Sequence, residues 1–109
     1  MVKECTQALV AAIQASEEYV DYHEKLSALK QDEKLYARVN EFRRKNMILH
    51  MNEDDNFHGN FADLQMEFAD ILSNVQVRNF LSADRKLGKL MRKTSNKVLE
   101  AGNMDIDFL

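Results

Sequence analysis

The stretch NVQVRNFLSADRKLGKLMRKTSNKVLEAGN, residues 74–103, indicates a long amphipathic helix. Asn74 is a candidate N-cap, and Gly102-Asn103 provides a C-terminal stop. Apolar residues recur at three- and four-residue steps, so that they share one face of the helix. This face consists of Val77, Phe80, Leu87, Leu90, Met91, Thr94 and Val98. We therefore predict a last helix that runs from Asn74 to about Ala101.

The first predicted helix runs from about Lys3 to about Lys30, because its apolar residues recur with the same period. Its stripe consists of Cys5, Leu9, Ala12, Ile13, Ser16, Val20, His23 and Leu26. The small side chains at Ala12 and Ser16 allow another helix to approach closely. The residues proposed to pack in an oligomer are Leu9, Ala12, Ile13, Ser16 and Val20.

Two shorter helices are predicted between these long ones. The second starts at N-cap Asp32 and ends in the polar run 53–60. The third starts after a break at Gly59-Asn60 and reaches Leu72. The third and last helices either separate at Asn74 or join through a kink, and we favour the break.

Composition supports this helical interpretation. The 109 residues include no proline and only three glycines, although 45% are apolar. Strands and turn-rich loops normally contain more proline and glycine. We predict an all-α, four-helix bundle-like array with long first and last helices that forms an oligomer, most simply a homodimer. Residues 1–102 form one domain, and residues 103–109 form a short tail.

The net charge of −3 and the pI near 5.6 give no general attraction to nucleic acid. Cys5 is the single cysteine, so an internal disulfide is impossible and a cysteine-rich cofactor site is not expected. No apolar run approaches the roughly 20 residues of a membrane span, and the N-terminus lacks the pattern of a signal peptide. We expect a cytoplasmic protein without a cofactor.

The loop that begins at Asp54 resembles the opening of an EF-hand, with Asn56 and Gly59 correctly spaced. His58, however, offers nitrogen at the fifth position, and Gln65 lacks the carboxylate needed at the twelfth. Calcium prefers oxygen ligands and needs that final carboxylate. We therefore predict an interhelical loop without calcium.

No residue pattern indicates catalysis or a transition-metal site. His23, His50 and His58 are far apart, and none has a second His or Cys at helical ligand spacing. No P-loop, Gly-x-Ser-x-Gly or activated cysteine is found. We expect that the protein is not an enzyme.

Charge alternates in blocks along the chain, and the last helix is strongly basic. Between residues 78 and 97, seven basic residues accompany one acidic residue, Asp84. Five of the basic residues lie largely opposite the apolar stripe and form the basic ridge: Arg85, Lys89, Arg92, Lys93 and Lys97. Such a ridge suits either an acidic protein surface or nucleic-acid phosphates. The absence of interleaved aromatic residues favours the protein surface.

Met47, Met51 and Met66 cluster around the second and third predicted helices. Flexible thioethers adapt to partner surfaces, although filling gaps in a core is their more common role. We predict that Met47 and Met51 bind a protein partner together with the basic ridge.

Two segments resemble the YlbF/YmcA family of bacterial regulators. The first, AIQASEEYVDYHEKLSALKQDEKLYARVNEFRRKN, is residues 12–46, and the second, LQMEFADILSNVQVRNFLSADRKLGKLM, is residues 64–91. The first carries Ser16-Glu17-x-Tyr19 and Asn40-Glu41-Phe42. The second carries the Asn-x-x-Val turn and Phe-Leu-x-Ala-Asp. The ending DIDFL is also similar to tails in the family.

The resemblance implies an all-α, oligomeric, cytoplasmic adaptor without catalytic chemistry. Its implied partners are family paralogues and a ribonuclease complex that affects messenger RNA processing during development. Some complex members are linked to iron–sulfur clusters, but Cys5 alone does not supply the ligands for one. A nucleic-acid-binding protein that uses the basic ridge is the alternative.

Overall fold

The computed structural model describes residues 1–51, 57–103, 105, 107 and 108. These residues contain no strand, which confirms the predicted all-α class. The helices in this part of the chain are α1 (Val2–Gln14), α2 (Glu17–Lys30), α3 (Glu33–Met51), α4 (Phe57–Glu67), α5 (Ala69–Leu72) and α6 (Val75–Gly102). The described part thus holds six helices, where the sequence predicted four.

The prediction of one long first helix is wrong, because the chain breaks at Ser16. Ser16 takes an extended conformation, and its hydroxyl accepts a hydrogen bond from the Tyr19 amide at 3.2 Å. This satisfies one free N–H at the start of α2, and Glu17 and Glu18 suit the positive end of the helix. Ser16 is therefore an N-cap and does not belong to a continuous packing stripe.

The break also changes which face of α2 points inward. A continuous helix would have placed His23 on the apolar stripe, but His23 is exposed. Tyr22 and Leu26 pack against the core instead, and Leu29 is fully buried.

The predicted N-caps of the second and last helices are confirmed. Asp32 Oδ1 accepts a hydrogen bond from the Leu35 amide at 3.1 Å. Asn74 Oδ1 accepts from the amides of Gln76 and Val77. The break before α6 is therefore real, and α6 ends where Asn103 adopts the left-handed conformation (φ 46°).

The predicted start of the third helix at Gly59-Asn60 is wrong, because both residues lie within α4. Glycine is least costly in a first turn, where the amides have no helical acceptor. In the rejected calcium loop, Asp54, Asn56 and the His58 side chain lie outside the described residues. Gly59 has no positive φ, and Gln65 is exposed on α4.

The core is one apolar cluster in an elongated molecule. The extents of the chain are 50 × 37 × 17 Å. Phe68 and Phe80 are the largest fully buried side chains. The cluster of buried residues consists of Leu29, Val39, Phe42, Leu64, Phe68, Ile71, Val77 and Phe80.

Helices α2 and α6 pack antiparallel and form the most extensive helix pair. The ring of Tyr22 lies 5.5 Å from that of Phe80. Farther along α2, Ala28 lines a hollow together with Val75 and Asn79, near the start of α6. Residue numbers thus rise on one helix as they fall on the other.

Arg38 on α3 joins three elements through one guanidinium. It lies 4.0 Å from the centre of the Phe68 ring, donates to the Glu67 carbonyl at 2.9 Å and pairs with Asp70 at 3.3 Å. The Glu67 carbonyl is one of the unsatisfied acceptors at the end of α4. Arg38 therefore stabilises the turn from α4 into α5 that directs Phe68 into the core.

We expect Phe68→Ala to lower the free energy of unfolding by about 3–5 kcal/mol, because it opens a cavity in the cluster. Urea denaturation followed by circular dichroism measures this loss. Met66→Ala is the control, because Met66 is exposed on the neighbouring turn. Equal effects of the two substitutions would contradict the assigned core.

Arg38 holds the pKa of Asp70 below its ordinary value by donating a hydrogen bond to the charged carboxylate. The charged carboxylate therefore contributes stability above its unfolded-state pKa, and this contribution is lost as pH falls through the lower native-state pKa. We expect Asp70→Asn to lower the melting temperature at neutral pH and to match the wild type in acid. Melting curves from neutral pH down to about pH 2, well below the ordinary range of carboxylate pKa values, check this.

Asp63→Asn is the matched control, because Asp63 is an exposed carboxylate of α4 without an ion pair in the described structure. If Asp70→Asn lowers the melting temperature by the same amount at neutral pH and in acid, the charge of Asp70 contributes nothing to stability.

Candidate interaction surfaces

The basic ridge of α6 is exposed along its whole length. Val77, Phe80 and Ala83 are buried on the opposite side of the helix, which directs the ridge side chains toward solvent. Gly88 leaves room for the Arg92 guanidinium, which lies 3.2 Å from the position a Cβ would take there. The five ridge side chains are therefore exposed to solvent on one side of α6.

The ridge forms no ion pair with any acidic residue in the described part of the chain. Asp84, the one acidic residue among residues 78–97, pairs with Arg43 of α3 at 3.3 Å. The Arg43 guanidinium also lies 5.1 Å from the centre of the Phe80 ring. Asp84 therefore faces the body of the molecule and leaves the ridge uncompensated.

Three basic residues of α3 differ from the ridge, because acidic residues of the same chain pair with them. Lys45 pairs with Glu67 at 2.6 Å, and Arg38 pairs with both Asp70 and Glu41. Two basic segments of similar composition thus have different roles. That of α3 joins helices, whereas that of α6 is available to a partner.

Met47 and Met51 lie one helical turn apart near the end of α3 and form the methionine pair. Their exposed fractions are 57% and 74%. An open hollow of about 280 Å³ lies between α3 and α4, lined by residues that include Lys45, Leu49 and Glu67. Neither methionine lines this hollow, but their exposed thioethers suit an adaptable protein contact.

The break at Ser16 divides the residues predicted to pack in an oligomer. Leu9, Ala12 and Ile13 lie on α1, whereas Val20 lies on α2. Leu9, Ala12 and Val20 are exposed, and Ile13 is half-buried. Ser16 caps α2, so its structural role within the chain differs from the predicted one.

The described histidines show aromatic contacts. The His23 ring lies 4.3 Å from that of Tyr19 and 5.1 Å from that of Tyr22. His50 lies 6.2 Å from Phe61. Among residues 1–51 and 57–103, no group of three or more His, Cys, Asp and Glu side chains is arranged to hold a metal ion. No helix in the described chain has both the length and the apolar character needed to cross a membrane.

Two residues that shape these surfaces were missed in the sequence. The sequence did not distinguish Arg38 from the other basic residues of α3. Its contact with Glu67 joins residues 29 positions apart, and sequence spacing does not reveal such a contact. Asp84 carried a usable signal, since it is the single acidic residue within a basic helix and lies near the buried Phe80 and Ala83 positions.

One of three comparisons with known proteins identifies a family. No curated protein and no solved structure matches the chain. A family model described as "Control of competence regulator ComK, YlbF/YmcA" matches residues 2–101. This match covers nearly the whole sequence and both segments that carried the resemblance. The chain therefore belongs to the YlbF/YmcA family, whose description indicates a regulatory role.

Proposed function

We propose that the protein is a non-enzymatic, cytoplasmic regulator that acts as an adaptor by binding other proteins through its helical faces. The observation that carries this proposal is the exposed methionine pair on α3, together with a basic ridge that has no acidic partner in the described chain. The family description supports a regulatory role. By resemblance, its partners are paralogues of the same family within a ribonuclease complex that affects messenger RNA processing. Self-association as a homodimer belongs to the same proposal.

The two surfaces contribute to binding in different ways. An exposed charge pair contributes only about 0.2–1 kcal/mol, too little to hold a complex, but a charged surface steers the encounter and rejects wrong partners. An apolar anchor that becomes buried contributes about 2 kcal/mol or more. We therefore assign affinity to Met47 and Met51, and orientation to the ridge.

Nucleic-acid binding is the alternative, and the unpaired cations of α6 favour it. Lys89, Arg92 and Lys93 follow one exposed helix face, as contacts to successive phosphates require. The ridge carries no aromatic side chain on which bases could stack. We therefore rank this function second.

We expect the double substitution Lys89→Glu and Lys93→Glu to slow association with a family paralogue from the same host and to reduce its dependence on salt. Stopped-flow or biosensor kinetics at several salt concentrations measure both effects. The matched control is Lys3→Glu with Lys34→Glu, which changes the net charge equally at exposed positions outside the ridge.

A gel-shift assay with single-stranded RNA on the same variants separates the two functions. If the ridge substitutions abolish RNA binding and leave paralogue association unchanged, the adaptor proposal fails and the nucleic-acid function replaces it.

We expect Met47→Ala or Met51→Ala to speed dissociation from the paralogue by about tenfold, the equivalent of about 1.4 kcal/mol. Association should change little, because apolar truncation leaves the electrostatic encounter intact. Met66→Ala is the control, since Met66 is also exposed, to 76%, but lies on α4. Unchanged dissociation in both test variants would remove the methionine pair from the interface.

A further inference from the structure

The second half of α6 exposes apolar side chains as well as cations. The buried residues of α6 end at Ala83. Beyond that point Met91, Val98 and Leu99 have exposed fractions of 40%, 57% and 66%. Neighbouring exposed apolar groups that are rimmed by polar ones mark contact sites on protein surfaces. We call residues 85–99 the distal segment of α6.

The distal segment concentrates positive charge. It contains six basic residues, the five of the basic ridge and Lys86, and no acidic residue. Lys86 is exposed like the ridge. Asp84, which directly precedes the segment, pairs with Arg43. No ion pair within the described chain involves the distal segment, so its charge is available to an anionic ligand.

Cations border the exposed apolar side chains along both edges. Residues seven apart lie almost directly above one another on an α-helix, because seven residues make nearly two turns. Arg92 therefore shares one edge with Leu99. Lys97 shares the other edge with Leu90, which is half-buried. Val98 lies between the two edges, together with the residue seven positions before it.

This arrangement is typical of a helix that lies in a lipid surface. Such a helix buries its apolar side at the boundary between headgroups and acyl chains, and its basic residues bind anionic headgroups. Lysine and arginine at the edges can cover apolar surface with their methylene groups while their charges reach the headgroups. The remaining cations lie within about one helix diameter of the surface, close to the screening length at physiological salt.

An anionic lipid surface accounts for the distal segment more completely than other anionic ligands do. RNA would use the cations but would leave Val98 and Leu99 without an apolar surface to contact. The ridge also carries no aromatic ring on which bases could stack. An acidic protein would have to supply a groove of matching shape with an apolar floor. A lipid surface offers both kinds of contact along the whole segment and needs no matching shape.

We propose that the distal segment of α6 binds the surface of an anionic lipid bilayer, with Met91, Val98 and Leu99 at the acyl boundary and Arg92 and Lys97 at the headgroups. The helix lies along the surface and does not cross it, because cations occur along the whole segment. Cytoplasmic leaflets carry anionic lipids. The inference therefore takes from the proposed function only the cytoplasmic location, and it leaves the methionine pair of α3 to protein partners.

A single introduced tryptophan reports the lipid contact, because the chain contains none. Val98→Trp is mixed with vesicles of phosphatidylglycerol and phosphatidylcholine, and with vesicles of phosphatidylcholine alone. We expect its fluorescence to shift to shorter wavelength with the anionic vesicles only. Asn96→Trp is the control, because Asn96 is exposed on the polar side of α6 and should keep the emission of a hydrated ring. Equal shifts in the two variants, or no shift in either, would overturn the inference.

Co-sedimentation with the anionic vesicles measures what the edge cations contribute. We expect Arg92→Gln with Lys97→Gln to weaken binding by about 25-fold, because each cation near such a surface contributes about fivefold. Lys3→Gln with Lys34→Gln is the matched control, since it removes the same charge at exposed positions outside α6. If the control pair weakens binding as much as the test pair, net charge alone acts and the inference fails.

The same assay measures the apolar contribution. Val98→Ser with Leu99→Ser should weaken vesicle binding by about tenfold or more, since both side chains leave water on binding. Val75→Ser is the control, because Val75 is exposed to 61% in the first turn of α6, outside the distal segment. All substituted side chains are exposed, and circular dichroism checks that the variants keep the fold. Unchanged binding of the double variant would contradict burial of the apolar side chains.

The wild-type protein distinguishes this inference from the two functions proposed above. Binding to single-stranded RNA without binding to anionic vesicles would overturn the inference and assign the ridge to nucleic acid. The vesicle assays contain no protein partner, so their failure leaves the adaptor proposal standing. Failure of the protein to bind a paralogue, with vesicle binding intact, would contradict only the adaptor proposal.

Discussion

The contacts of two phenylalanine rings are the interaction on which the rest of the structure depends. Phe68 enters the core at the turn between α4 and α5, where Phe42 of α3 packs against it at 5.4 Å. Phe80 enters from α6 and meets Tyr22 of α2. Because both rings belong to one cluster, the helices from α2 to α6 are held around a single point. The remaining parts of the chain project from that point.

The electrostatic pairing follows from this packing. Once α3 lies against α4 and α6, its basic side chains are within reach of Glu67, Asp70 and Asp84. Those pairs neutralise Arg38, Arg43 and Lys45, whereas the basic ridge has no acidic partner in the described chain. Although the total charge is nearly balanced, charge is unevenly distributed over the surface. The exposed side of α6 is strongly positive.

Features set by local chemistry could be predicted from the sequence. Asp32 and Asn74 cap helices because their short side chains reach the amides of the first turn, and the basic ridge is visible because the helical period fixes which residues share a face. Ser16 carried the same capping signal, followed by Glu17 and Glu18. It was misjudged because the apolar spacing from Ile13 to Val20 continues across it. The positions of α2 predicted to face inward were therefore shifted by about one residue.

Features set by long-range contacts could not be predicted in this way. Which basic residues are neutralised depends on the packing of α3 against α4 and α6, and no spacing rule reports that. The same holds for the methionine pair, since period and composition allow either a core or a surface position. The sequence thus indicated the candidate surfaces. Which of their charged side chains form ion pairs depends on the tertiary arrangement.

The position of the core has an evolutionary consequence. All buried apolar side chains of the described chain lie between Leu29 and Ala83. Substitutions in α1 and in the last turns of α6 therefore escape selection for folding and are subject mainly to selection for what they touch. After a gene duplication, two copies could keep the same interior while their ends diverge. A family built on this plan can acquire new assemblies without inventing a new fold.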